Sequence, residues 1–469
     1  MANLNKAQDD FVSAYIRQRL GNLPREEVSR QGAGRSLFSF KQQECIAAEE
    51  CDPLARECSK QFIILSVDGA IIDQMVLAIK DVVSLQDALR LKVAQRGGGG
   101  YDSQRHEMKD FQVHVIYDPE ADDQAVMDAL THFALADYSL LSGGWLCRAA
   151  IFSRGRGSFW ICFAVHHIVF DYWSLGLVAT GLKQAYADRL AGRAHGLRKL
   201  ARSYGEFAEW QRSPEFSDRA AREIPVWQKL YDGYERPSRL SLRVNNPGAF
   251  RQGRLEVLLS RDKVTKIRQL ARHCKTSFYA AAMSAFLLTL AKFEAEKVVL
   301  VGMPVVGRPD ISFYKTIGLF ANNLVVPFVI DKTAAAEEFV QDVSARIKLS
   351  MANQSIPGSK IQEAVGSSSS YQFMFLLQVA DEVLPEFQDA EARLEALEVG
   401  HNTGANFGEL CLSLVAPDGS MAVDRDVSGY IDFNGGLYRS QDVEEFWHAM
   451  GQIVDDLNAR IVKPERSDA

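Results

Sequence analysis

The chain has 469 residues, 47% of them hydrophobic and 24% charged, an ordinary globular balance that excludes disordered and fibrous classes. A formal net charge of −7 argues against nucleic acid as the main partner and fits a protein that handles small molecules or other proteins. The length suits two domains, with the division expected between residues 1–225 and 226–469.

The opening MANLNKAQDDFVSAYIRQRL has early acidic residues and no apolar core of a secretory signal. Nowhere do 18 apolar residues run together, and Phe278–Leu290 reads as a buried helix. Seven cysteines (45, 51, 58, 147, 162, 274 and 411) are odd in number and none forms a C-x-x-C pair, which points to reduced thiols. A cytoplasmic protein without a membrane partner is expected.

In chain order, residues 5–20 have helical spacing and QFIILSVDG from Gln61 reads as a strand. Ile71–Lys92 is apolar at helical spacing. R-G-G-G-G-Y at 96–101 is predicted to be a flexible connector, since a phosphate cradle would call for G-K-[ST]. A strand is predicted over Phe111–Tyr117, a helix over 123–136, and strands over Trp145–Phe152 and Phe159–Val165. The last is apolar on both faces, as in the interior of a covered sheet. Trp173–Leu190 follows as a helix with Asp171 or Ser174 as its cap. The basic run A-G-R-A-H-G-L-R-K-L-A-R reads as a solvated loop and helix face.

Near 225 the rhythm restarts, with Pro225-Val226-Trp227 opening a short helix. Strand Gly253–Leu259, helices Asp262–His273 and Ser277–Phe293, and strands Lys297–Val301 and Asn323–Ile330 are predicted next. A helix over 334–353, strand Tyr371–Gln378, a helix near 386–396, strands at 409–415 and 428–433 and a helix over 441–461 complete the order. The alternation predicts an α/β (α+β) protein with one large sheet in each half.

The stretch F-A-V-H-H-I-V-F-D-Y-W-S-L-G, residues 163–176, is the chemical focus. A strand ending in His166-His167 sends the two rings to opposite faces, so one of them can enter a given cleft. Acid–base chemistry, a pair of structural histidines and a metal site all stand as readings. The metal reading is the weakest. His-x-x-x-Asp supplies two ligands, and the histidines at 106, 114, 132, 195, 273, 401 and 448 are scattered. No G-x-S-x-G elbow supports a serine hydrolase.

His166-His167-Ile168-Val169-Phe170-Asp171 resembles the H-H-x-x-x-D-G motif of the condensation domains of nonribosomal peptide synthetases. Ser39-Phe40-Lys41-Gln42-Gln43 resembles their S-x-A-Q-x-R opening, and Asp87-Ala88-Leu89-Arg90 the end of R-H-E-x-L-R-T. Gly144–Ala149 resembles G-P-L-x-R-A, and Tyr204–Gln211 resembles Y-x-D-Y-A-x-W-Q. Val301–Arg308 resembles V-G-x-P-V-A-G-R, Ile317–Leu324 resembles I-G-x-F-V-N-T-L, and Tyr371–Phe375 falls where F-Q-V-x-F is expected.

The resemblance implies two chloramphenicol-acetyltransferase-like lobes in a V-shaped pseudo-dimer, with an active-site tunnel between them. It implies a catalytic His167, structural roles for His166 and Asp171, and Arg308 as the aspartate's partner. Tyr172, Trp173, Ser174, Asn322 and Gln378 would belong to the substrate tunnel. No metal or bound cofactor is implied. The phosphopantetheine arm of an acyl or peptidyl carrier protein would bring the acyl thioester, and a small amine or alcohol would accept it. The product would be an amide or ester in natural-product or antibiotic biosynthesis, and a monomer would suffice.

The sequence departs from the motif where Tyr172 replaces its glycine, and Ala405–Glu409 only loosely resembles G-N-F-D-L. No stretch resembles an adenylation or carrier domain, so a freestanding enzyme is expected. Epimerisation domains differ in having Ser before Trp, heterocyclisation domains in replacing both histidines by aspartate, and plant-type acyl-CoA transferases in their D-F-G-W-G. An acyl-CoA-dependent enzyme and a catalytically inactive docking module remain the alternatives.

Overall fold

In the first half the strands are β1 (Lys60–Asp68), β2 (Leu91–Gln95), β3 (Tyr101–Arg105), β4 (Val113–Tyr117), β5 (Cys147–Ser153) and β6 (Ser158–His166). Its helices are α1 (Phe40–Cys51), α2 (Ile72–Leu85), α3 (Asp123–Leu135), α4 (Tyr172–Leu190), α5 (Tyr204–Trp210) and α6 (Pro214–Leu230). The second half contributes β7 (Gln252–Leu259), β8 (Val298–Val305), β9 (Asn322–Val329), β10 (Phe373–Val379), β11 (Phe387–Asp389), β12 (Ala392–His401), β13 (Leu410–Ala416) and β14 (Val427–Asn434). Helices α7 (Arg261–His273), α8 (Phe278–Lys292), α9 (Ala336–Ala352), α10 (Gly358–Val365) and α11 (Ser440–Ile461) accompany them. This computed structural model describes residues 37–51, 59–96, 99–136, 140–155, 158–193, 199–234, 238, 240–244, 251–331, 333–366, 372–379, 387–389, 392–401, 408–416 and 425–461. The helix expected over 5–20 lies outside them.

Two six-stranded sheets result, ordered β11-β12-β1-β6-β5-β4 and β7-β14-β13-β10-β8-β9, beside a β2-β3 hairpin. Strand alternation explains the doubly apolar runs of β1 and β6. Ile63, Leu65, Ile161 and Phe163 join the main core with Met75 and Ile79 of α2 and Val178 and Leu182 of α4. Phe62, Ile64, Cys162 and Ala164 face the other way, onto Val126 and Leu130 of α3. In the second half α8 is buried nearly all round, and the Ser277 hydroxyl caps it by accepting from Ala280 N at 3.1 Å. Among the described residues no single helix is long and apolar enough to cross a membrane.

The helix foreseen over Ile71–Lys92 ends at Leu85, and Leu91–Lys92 begin β2. Gly99 and Gly100, with φ of +94° and +79°, lie between β2 and β3, in keeping with a loop there. Pro225 lies inside α6, so a boundary at 225/226 would cut a helix. The start signal is Ser213-Pro214 instead: the Ser213 hydroxyl accepts from Phe216 N at 3.2 Å and proline occupies the first turn.

The helix expected near 386–396 is the pair β11-β12, and β12 runs antiparallel to β1. The pairing jumps from Ile64↔Glu398 to Leu65↔Ala396, leaving Leu397 without a partner. That bulge inserts one residue into the period-two alternation and gives L-E-A-L-E-V a helix-like spacing. Residues 387–401 of the second half therefore complete the first half's sheet, and the expected division into 1–225 and 226–469 does not divide the sheets cleanly.

Candidate active site

Strand β6 runs through the covered sheet to His166, and its neighbour hands the chain into a 3-10 turn, His167–Val169. The His167 N–H donates to Ser59 O at 2.7 Å, so the turn starts from the same edge as β1. Asp171 then caps α4, accepting from Ser174 N at 3.0 Å. Strand, turn and helix follow within a few residues, which fixes the course of the motif.

The two imidazoles meet different partners, with His166 ending the strand and His167 opening the turn. His166 is fully buried, accepts from Ile168 N at 3.1 Å through Nδ1, and meets the Glu49 carboxyl through Nε2. His167 Nδ1 lies 2.7 Å from Phe170 O. A carbonyl can only accept, so Nδ1 carries the hydrogen and Nε2 keeps the lone pair. The Gln61 carboxamide sits 3.1 Å from the same Nδ1 and can share that hydrogen only with its oxygen turned to the ring. Burial pushes the His167 pKa from 6.5 down to about 4; the Phe170 carbonyl opposes the shift, Lys41 deepens it, Asp171 opposes it and His166 deepens it.

Asp171 and Arg308 meet across the two halves. Asp171 Oδ2 accepts from Arg308 Nη1 at 3.0 Å, from Phe320 N at 3.1 Å and from Ala321 N at 3.3 Å. Oδ1 accepts from Ser174 N, from Ser174 Oγ at 2.6 Å and from Arg308 Nη2 at 3.3 Å. Both side chains are buried, so the carboxylate is satisfied wholly by protein donors. Gly307 makes the approach of Arg308 feasible. Its φ is +66°, and a Cβ there would stand 1.9 Å from Phe320 O.

The remaining sequence-predicted residues fall around this clamp. Tyr172 is the first residue of α4 and has no left-handed backbone, so the motif glycine is not needed for conformation here. Its ring is half-buried, and burial raises its pKa. Trp173 Nε1 donates to Tyr314 O at 3.1 Å, linking α4 to the second half. Ser174 is buried, and its hydroxyl, which donates to Asp171, also accepts from Gly318 N at 3.2 Å. The Asn322 amide donates to Gln354 O and Ile356 O and accepts from Gly358 N, which commits it to the 354–358 segment. Gln378 is half-buried on β10. No group of three or more His, Cys, Asp or Glu side chains suited to a metal occurs among the described residues. A cavity of about 360 Å³ between β7 and α11, lined by Leu258, Lys263, Trp447 and Met450, contains none of these side chains.

Glu49, Gln61 and Lys41 were not legible as site residues. Glu49 and Gln61 lie 117 and 106 positions from the histidines they touch, and no local spacing announces such a pairing. Lys41 and Glu44 stand where S-x-A-Q-x-R has alanine and arginine, a signal that alignment to the motif makes visible; they pair at 2.7 Å.

Two sheets clamped at a histidine-bearing turn define a two-lobed, chloramphenicol-acetyltransferase-like architecture. The family model for the condensation domain matches residues 34–467, and the chain belongs to that family. Over 466 residues (95% of this chain) it is 26% identical to a Salinispora arenicola protein described as a probable nonribosomal peptide synthetase, CymA. It is 25% identical to a linear gramicidin synthase of Brevibacillus parabrevis over 71% of its length. The chain spans only 6% and 7% of those two relatives. Among solved structures, the X-domain from teicoplanin biosynthesis has the same fold, with a TM-score of 0.80 at 17% identity, covering 93% of this chain and 99% of that one.

Proposed function

We propose that this chain is a monomeric, cytoplasmic acyltransferase of the condensation type. It moves an acyl group from the phosphopantetheine thioester of a carrier protein to a small amine or alcohol. The observation that carries this reading is the fixed tautomer of His167, whose Nδ1–H is held by the Phe170 carbonyl and whose Nε2 keeps its lone pair.

The nitrogen or oxygen of the acceptor attacks the thioester carbonyl, forming the C–N or C–O bond as the C–S bond breaks. His167 Nε2 takes the acceptor's proton and passes it to the departing thiolate, leaving a free thiol. A ring of low basicity suits this order of events, because the attacking atom becomes acidic only as it bonds to carbon. A thioester is already activated, so holding both substrates in line supplies much of the rate, with effective molarities on the order of 10⁵ M or more. His166, Asp171 and Arg308 hold the turn, while Tyr172, Trp173, Asn322 and Gln378 line the approach.

A second reading, a docking module without catalysis, draws support from the likeness to an X-domain solved in complex with OxyB, at a TM-score of 0.79. Acyl-loaded carrier protein, offered with panels of amines and alcohols and followed by mass spectrometry, separates the two. Acyl transfer by the wild type that His167→Ala lowers by roughly 10²–10⁴-fold is expected. Absence of transfer across both panels favours the docking module, and undiminished transfer by the variant removes His167 from the mechanism.

A further inference from the structure

The buried pair behind the site has a chemistry of its own. Glu49 comes from α1, and its side chain is about as inaccessible as that of His166, at 1% and 0% exposure. One carboxyl oxygen meets His166 Nε2, and the other has no hydrogen-bond partner among the described residues. A buried carboxyl satisfied on one side only is costly to folding, and an apolar side chain of similar shape would fill the space at less cost. The carboxyl's presence calls for a task beyond packing.

The other face of the imidazole supplies that task. His166 is the N-cap of the turn that carries His167, and its Nδ1 accepts from Ile168 N at 3.1 Å. A ring nitrogen can accept only when unprotonated, so this cap exists in the Nε2–H tautomer alone. In the Nδ1–H tautomer two N–H groups would face each other, and the Ile168 N–H would be orphaned inside the core. A carboxylate oxygen placed at Nε2 accepts that hydrogen and selects the capping tautomer. α1 is fastened to the same turn a second time, where Gln42 Nε2 donates to Ile168 O at 3.1 Å.

We infer that Glu49 is a positioning residue: by accepting from His166 Nε2 it fixes the tautomer whose Nδ1 caps the turn that aims His167. The inference rests on His167 being the catalytic residue proposed above. It assigns a chain of action that runs from the Glu49 carboxyl through the first imidazole and the Ile168 amide to the second imidazole.

The test combines ¹⁵N-imidazole NMR, which reads the tautomer directly, with acyl-transfer kinetics on the full chain. Wild-type His166 is expected to show a protonated Nε2 and an unprotonated Nδ1. Glu49→Leu is expected to mix the tautomers and to lower kcat by roughly 10- to 100-fold, with KM for the acceptor nearly unchanged. Glu49→Gln, whose amide oxygen still accepts, is expected to keep both the tautomer and most of the turnover. A wild-type Nδ1–H tautomer overturns the inference, as does Glu49→Leu with unchanged tautomer and turnover, or Glu49→Gln with the tautomer kept and turnover lost. Should Glu49→Leu fail to fold, the wild-type and Glu49→Gln results decide. An inactive wild type with the expected tautomer overturns the acyltransferase reading and leaves the tautomer assignment standing.

Discussion

Replacing Asp171 by alanine tests how the two halves are held at the site. The substitution removes the acceptor of both Arg308 terminal nitrogens, at 3.0 and 3.3 Å, and takes from Ala321 N its carboxylate partner, while Phe320 N keeps Gly318 O at 3.1 Å and Ser174 N keeps the backbone carbonyl of residue 171 at 3.0 Å. Arg308 keeps the Thr316 carbonyl at 3.1 Å, but its side chain is fully buried and its charge loses the only carboxylate paired with it among the described residues. Breaking a buried ion pair from one side costs about 3–5 kcal/mol, far more than an exposed pair is worth. Urea unfolding followed by tryptophan fluorescence measures the loss. Arg308→Met removes the opposite partner, and in the double variant no charge is left stranded. The double variant is therefore expected to be more stable than the sum of the single losses by about 2 kcal/mol or more. A loss below about 1 kcal/mol for Asp171→Ala, or strict additivity in the cycle, would refute the claim that this pair clamps the halves.

Three further outcomes are expected. If neutral His167 is the active form, the acid limb of kcat/KM falls near pH 4 and not near 6.5, and a limb at the ordinary histidine value would contradict the described environment. The same depressed pKa makes the unfolded chain the better proton binder, so its stabilising contribution is whole above about pH 6.5 and is lost as pH falls toward 4. That loss is about 3 kcal/mol, measurable by urea titrations across the window. Gly307→Ala forces a Cβ against Phe320 O in a left-handed backbone and is expected to destabilise by roughly 2 kcal/mol or more; a neutral melting temperature would show that the 307–320 contact is not held. Tyr172→Gly is expected to alter acceptor preference more than donor use, and equal effects in competition assays would remove the ring from acceptor selection.

The sequence carried the local features well and the long-range ones poorly. The strand leading into the histidine pair, the cap of α4 and the span of most core helices follow from spacing and end residues, which act within a few positions. The Asp171–Arg308 contact was anticipated through motif resemblance, since 137 positions separate the two side chains. Pro225 and Leu397 misled for opposite reasons. The proline sits inside a helix that a stronger start signal opens earlier, and the bulge lends a strand the periodicity of a helix. Glu49 and Gln61 had no local signature at all, because their partners are set by how α1 and β1 dock on the end of β6.

The pairing of β12 with β1 bears on how the protein is made and on how it can be recombined. Residues 60–68 emerge from the ribosome long before residues 392–401, so one edge of the first sheet waits, uncovered, for a strand translated much later. Closing so distant a contact is slow, and the waiting edge is where a nascent chain would meet a chaperone or a neighbour. The same stitch sets the rule for chimeras: an exchange that replaces the first sheet must carry residues 387–401 with it, or the graft inherits a sheet that its own sequence cannot finish.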